Sequence, residues 1–231
     1  MMDGQVVKYD LEGNIVWENT EKLYHYRGVT TVEDGVIAVG NQGKVVKYDL
    51  EGNVVWENTE KSYDYQRVTT VEDGVIAVGT RGQVVKYDLE GNFVWEKTEK
   101  SYDYRGVTTV EEGVIAVSFG GQVVKYDLEG NVIWENTEKS YGYQGVTTVE
   151  DGVIAVIWNG QVVKYDLNGN IIWNYSHSKN FGSSDLGMHS ISKTLDGVVA
   201  VSGNGQVVKY AEVETSPEVA QTQEIEVKNT P

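Results

Sequence analysis

The chain has 231 residues, no cysteine, and 35 acidic against 19 basic side chains, a formal charge of −16. That length sustains a real core. The missing cysteine excludes a disulfide framework, thiolate zinc sites and a cysteine nucleophile, and the negative charge disfavours nucleic acid and anionic membranes as partners.

The first residues, Met1-Met2-Asp3-Gly4, carry neither the basic nor the apolar region of a signal peptide. No apolar run nears the roughly 20 residues of a bilayer-spanning helix. From there the chain repeats itself. Gly-Gln-Val-Val-Lys-Tyr starts at Gly4 and returns at Gly82, Gly121, Gly160 and Gly205, with Gly-Lys-Val-Val-Lys-Tyr at Gly43. The first four spacings are 39 residues and the last is 45. Segments 43–81 and 82–120 are identical at 30 of 39 positions, so each copy is the same supersecondary unit.

In chain order, Gln5–Asp10 and Asn14–Glu18 read as two strands around the turn Leu11-Glu12-Gly13. Val29–Val32 and Val36–Val39 follow, joined at Glu33-Asp34-Gly35, whose glycine suits a turn with positive φ. Four-strand sets then occupy 29–57, 68–96, 107–135 and 146–174. Ile191–Leu195, Val198–Val201 and Gln206–Tyr210 close the series. No run has the 3.6-residue period of a helix. Four short strands in about 40 residues is the size of one propeller blade. The count is 21 strand candidates, where five blades of four need 20, so 5–10 and 206–210 compete for one place. The expected fold is all-β, a five-bladed propeller over residues 1–210 whose ring closes by pairing N-terminal with C-terminal strands. The tail, 211–231, has both prolines and no aromatic residue, and reads as a linker or as an outer strand at Glu224–Lys228.

The segment Gly121-Gln-Val-Val-Lys-Tyr-Asp-Leu-Glu-Gly-Asn-Val-Ile-Trp134 resembles the repeat of quinoprotein-like (PQQ-type) β-propellers, a strand, an Asp and Gly turn, then a strand ending in Trp. The alternation of Lys-Tyr-Asp…Gly-Asn…Trp-Glu with Asp-Gly-Val-Ile-Ala-Val-Gly is closer still to bacterial surface-protein propeller repeats. The resemblance covers residues 4–210. It implies strands ordered A to D from the channel outward, and a cell-surface or extracellular setting. It also implies that Trp17, Trp56, Trp95, Trp134 and Trp173 pack between blades. The Val-Val-Lys-Tyr tyrosines are read as packing too, and Val-Ile-Ala-Val as a strand sandwiched between blades. No cofactor is implied, because the metal and quinone ligands of the larger quinone-dependent enzymes have no counterpart here.

Two ends of each blade differ. The turns around Asp10, Glu12, Glu33 and Asp34 gather carboxylates at one end, without the ligand spacing of a calcium loop. The B-to-C and D-to-A connections emerge at the other. Five of the nine differences between the second and third copies fall there, and the B-to-C loop runs Asn41-Gln42, Thr80-Arg81, Phe119-Gly120, Trp158-Asn159, Gly203-Asn204. Constant strands under changing loops point to a binding face made of Tyr24, Tyr26, Tyr63, Tyr65, Arg81, Tyr102, Tyr104, Phe119, Tyr141, Tyr143 and Trp158. The expected function is a monomeric, non-enzymatic module for a protein, peptide or glycan. The alternatives are a structural spacer, or a small hydrolase or lyase using the fifth-copy insert 176–189, with His177, Ser183, Ser184, Asp185 and His189.

Overall fold

A computed structural model describes residues 5–20, 24–98, 102–137, 142–176, 188–202, 206–211 and 224–225. The chain divides into two compact units, residues 1–116 with 124–133, and residues 117–123 with 134–231.

The first unit begins with β1 (Val6–Tyr9) and β2 (Ile15–Asn19), an antiparallel pair. Two four-stranded antiparallel blades follow in the order A to D. They are β3 (Tyr26–Val32), β4 (Gly35–Gly40), β5 (Val45–Asp49) and β6 (Val54–Asn58), then β7 (Tyr65–Val71), β8 (Gly74–Gly79), β9 (Gln83–Tyr87) and β10 (Phe93–Thr98). The third blade is β11 (Tyr104–Val110), β12 (Gly113–Ser118), β13 (Gln122–Tyr126) and β14 (Val132–Thr137), and the division between units runs through it. The second unit holds the fourth blade, β15 (Tyr143–Val149), β16 (Gly152–Ile157), β17 (Gln161–Tyr165) and β18 (Ile171–Ser176). It also holds the fifth, β19 (Met188–Thr194), β20 (Gly197–Ser202), β21 (Val207–Ala211) and β22 (Glu224–Ile225). The chain is thus all-β, with five four-stranded propeller blades, as its repeats predict.

The expected closure is corrected. β1 and β2 hydrogen-bond to each other in a sheet of their own, and the fifth blade takes its outer strand from the tail, at Lys209↔Ile225 and Tyr210↔Glu224. β21 therefore holds the contested C place, because it follows β20 through a short connection, whereas β1 is already fixed against the first blade.

Strand position explains strand sequence. B strands such as β8 and C strands such as β9 are buried along their whole length, since a sheet covers both faces. That is why they read as continuous apolar runs. D strands alternate between exposed and half-buried residues at the rim. Tryptophan joins one blade to the next. The indole N–H of Trp17 donates to Leu50 O at 2.9 Å, Trp56 to Leu89 O at 2.9 Å, Trp95 to Leu128 O at 2.8 Å and Trp134 to Leu167 O at 2.8 Å. Each ring lies on the glycine of the neighbouring Asp-Leu-x-Gly-Asn turn. At Gly52, with φ of +87°, an added Cβ would stand 2.6 Å from the Trp17 ring. The glycine serves the turn and the close approach together. Asp49 shapes the same turn, its carboxylate accepting Asn53 N–H at 2.8 Å and the Asn53 amide at 2.9 Å.

Inside the blade, hydroxyls pair. Tyr65 and Tyr87, both fully buried, meet oxygen to oxygen at 2.8 Å, and Tyr104 meets Tyr126 at 2.7 Å. The Val-Val-Lys-Tyr lysines of the first four blades are buried as well. Lys47, Lys86 and Lys164 reach the A-to-B turn carboxylates of Asp34, Asp73 and Asp151 at 2.7–2.8 Å. At the inner strands, Thr30 pairs with Thr70 at 2.8 Å and Thr69 with Thr109 at 2.9 Å, linking successive blades.

Candidate binding face

Backbone hydrogen bonds hold the two variable connections together. The B-to-C loop leans on the D-to-A connection of its own blade, with Asn41 N–H to His25 O at 3.1 Å, Thr80 N–H to Asp64 O at 3.3 Å, and Trp158 N–H to Gly142 O at 3.0 Å. It also reaches the next blade, where Gln42 N–H donates to the Asp64 carboxylate at 3.2 Å. His25, Asp64 and Gly142, one residue in each of three D-to-A connections, each accept such a bond, and Asp64 takes one from either side.

At Gly142 that geometry creates an apolar patch. A Cβ there would stand 2.8 Å from Trp158 Cδ1 and 3.1 Å from Phe119 Cε2, so both rings close over the glycine. Phe119 is 47% exposed and Trp158 is 50% exposed. Copies two and three have Asp at this position, and an aspartate would push both rings away. Sequence comparison singled out the two aromatics but missed Gly142. Its signal was present, as the one Tyr-Gly-Tyr beside two Tyr-Asp-Tyr.

The expected tyrosine face is corrected in part. Tyr65, Tyr104 and Tyr143 are fully buried, and their hydroxyls bond to Tyr87, Tyr126 and Tyr165. They begin their A strands with side chains turned into the blade, so they pack rather than bind. Tyr26 is half-buried and bonds to Tyr48 at 2.8 Å. Tyr24 and Tyr63 are partly exposed, and each hydroxyl is held by a D-strand carboxylate, Glu57 or Glu96. The Glu96 carboxylate pushes the Tyr63 hydroxyl up to about 12. Lys44 lies 4.3 Å from the Tyr24 ring, and Lys61 binds Glu96 at 2.9 Å. Tyr102, like Trp95 and Leu128, is partly buried against the cluster that contains Tyr104 and Tyr126. Arg81 is exposed. Arg105 bonds to Asp103 at 2.6 Å, and Arg27 to Asn41 at 2.6 Å. Tyr141 lies outside the described residues.

At the opposite end, the turn acids have structural work. The Lys47 ammonium holds the Asp34 carboxyl below the usual range, and Asn53 does the same for Asp49. Among the described residues, no three His, Cys, Asp or Glu side chains come together as a metal site. Of the insert, His189 is an exposed residue of β19, while His177, Ser183, Ser184 and Asp185 lie outside the described residues.

Comparison with known proteins follows the same architecture. The family model described as "Outer membrane protein assembly factor BamB" matches residues 2–137 and 51–231. The solved structure of BamB from Moraxella catarrhalis is similar, with a TM-score of 0.69 and 20% identity, over 91% of this chain and 67% of that one. Comparison with curated protein sequences finds no match. At 20% identity the likeness to that structure speaks for the fold alone, and the family model, which spans the whole chain, shows that this protein belongs to the BamB-type family of PQQ-like β-propeller repeat proteins.

Proposed function

We propose that this chain is a non-enzymatic docking module that captures a protein segment with an apolar anchor on the patch of Phe119, Trp158 and Gly142. The observation that carries the reading is the pair of half-exposed rings over Gly142, since a large exposed aromatic costs solvation unless a partner covers it. The family description, an assembly factor for outer-membrane proteins, favours a polypeptide over a glycan and a setting in the cell envelope.

Panning a displayed peptide library on the protein tests this. Peptides with an aromatic or branched aliphatic anchor are expected to enrich and to bind the Phe119→Ala/Trp158→Ala variant at least tenfold more weakly, about 1.4 kcal/mol. The Gly142→Asp variant is expected to lose the same peptides by displacing the rings. Thermal stability of the double variant stays within about 0.5 kcal/mol, as for exposed positions generally. Equal binding by all three proteins would leave a structural spacer as the better reading. Enrichment of glycans on an array, with no peptide selected, would change the class of partner.

A further inference from the structure

The chain has four arginines, Arg27, Arg67, Arg81 and Arg105. Three of them stand near the start of neighbouring A strands in the first unit, Arg27 on β3, Arg67 on β7 and Arg105 on β11. β7 is the middle strand of the three. It is joined to β3 through Thr30 and Thr70, and to β11 through Thr69 and Thr109. Both strands that flank Arg67 therefore belong to the same unit.

The backbone makes room for its side chain. On β3 the pairing slips between Tyr26 and Gly28, so Arg27 is the extra residue of a bulge. On β7 the slip between Tyr65 and Arg67 makes Gln66 the extra residue. Arg67 then holds a place that is glycine in three other copies, at Gly28, Gly106 and Gly145. A Cβ on Gly28 would stand 3.0 Å from Arg67 Cα and 3.3 Å from Gln66 O, so the bare glycine lets the two strands approach here.

One nitrogen fixes the guanidinium. Arg67 Nη1 donates to Gln66 O at 2.8 Å and to Arg27 O at 3.0 Å. Nε and Nη2, the parallel donors that match the two oxygens of a carboxylate, hold no bond among the described residues. Lys47, Lys61, Lys86 and Lys164 each have a carboxylate partner, whereas Arg67 has none among the described residues. Burial, and then the Arg105 and Arg27 guanidiniums, pull the Arg67 guanidinium below its usual range. A half-buried cation that feels other cations is stabilised by an anion. The connections leading into β7 and β11 bring two carboxylates, Asp64 and Asp103, against the three guanidiniums. One positive charge remains, which suits a carboxylate better than a doubly charged phosphate.

We propose that Arg67, between Arg27 and Arg105, binds the carboxylate of a ligand through Nε and Nη2, the ligand being an acidic side chain of a peptide or a free carboxylic acid.

Four arginines make the site directly readable by NMR. Protein made with isotopically labelled arginine gives one Nε–H signal for each, assigned with the single variants Arg27→Lys, Arg67→Lys, Arg81→Lys and Arg105→Lys. It is titrated at constant ionic strength with acetate, with end-capped Gly-Glu-Gly, with end-capped Gly-Gln-Gly and with inorganic phosphate. The Arg67 signal is expected to shift and saturate with acetate and with the Glu peptide, and to stay in place with the Gln peptide. Arg81, in the connection from β8 to β9, is expected not to respond. Tighter binding of the Glu peptide than of acetate makes the ligand a peptide, and otherwise it is a free acid. Arg67→Lys keeps the charge and loses the paired donors. It is expected to bind at least tenfold more weakly, read at the Arg27 signal, with an unchanged circular dichroism spectrum. The proposal is overturned if Arg67 shows no saturable shift with either carboxylate, or if Arg81 shifts equally. Tighter binding of phosphate than of both carboxylates, or unchanged affinity in Arg67→Lys, would overturn it as well.

Discussion

Two tyrosines separated by one residue meet different fates. In Tyr63-Asp64-Tyr65 the second ring is fully buried and its hydroxyl bonds to Tyr87, while the first stays partly exposed against Glu96. The period of two in an extended chain sends alternate side chains to opposite faces, and only one face meets the core. Tyr65→Phe removes one partner of a buried hydroxyl pair and strands the other. It is expected to cost about 1–2 kcal/mol in urea unfolding and to leave peptide binding unchanged. Gly142 shows the converse, since a side chain that is absent positions two others.

At the scale of the strand and turn, each of the first three blades is joined to the next by an indole and a turn. The Asp-Leu-x-Gly-Asn turn is closed by its aspartate, offers a leucine carbonyl to the indole N–H, and opens a glycine surface to the ring. Trp95→Ala removes the packing and the hydrogen bond to Leu128 together and is expected to destabilise the fold by about 3 kcal/mol. Trp95→Phe keeps most of the ring and loses the donor, at about 1 kcal/mol. Chemical denaturation of the two variants separates the contributions. Equal losses would mean that the indole N–H dominates.

Across the whole molecule, charge is organised by the same repeat. The turn acids Asp10, Asp34, Asp49, Asp166 and Asp196 are all held below the usual carboxylate range by hydrogen bonds from Asn14, Lys47, Asn53, Asn170 and Lys209. A depressed value in the fold means that the unfolded chain takes up protons first. The stabilisation is complete above the unfolded value, near 3.9, and is lost as pH falls through the folded values. Relief of the −16 charge acts in the opposite sense on mild acidification. In 0.15 M salt, where a Debye length of about 8 Å screens that repulsion, the melting temperature is expected to hold from about pH 8 to 5 and to fall below about pH 4. Asp34→Asn/Asp49→Asn is expected to melt lower at pH 7 and to show a shallower acid limb. An acid limb as steep as in the unsubstituted protein would remove these turns from the account.

The repeat by itself determined the strand order, the blade size, the inter-blade tryptophans and the end of each blade at which variable loops gather. It could do so because these features are local and recur in register, so that sequence spacing and spatial spacing coincide. Three matters were decided only in the tertiary structure. The Val-Val-Lys-Tyr lysines of the first four blades are buried between neighbouring sheets, which the partner carboxylate permits, Asp34 for Lys47 standing 13 residues away. The second tyrosine of three pairs, Tyr65, Tyr104 and Tyr143, became core because the pleat direction is set by its neighbours. The place of the N-terminal strands was also settled there. Gln5–Tyr9 and Gln206–Tyr210 are the same peptide, so no local preference separates them, and what each strand can reach along the chain assigns β21 to the fifth blade and β1–β2 to a sheet of their own.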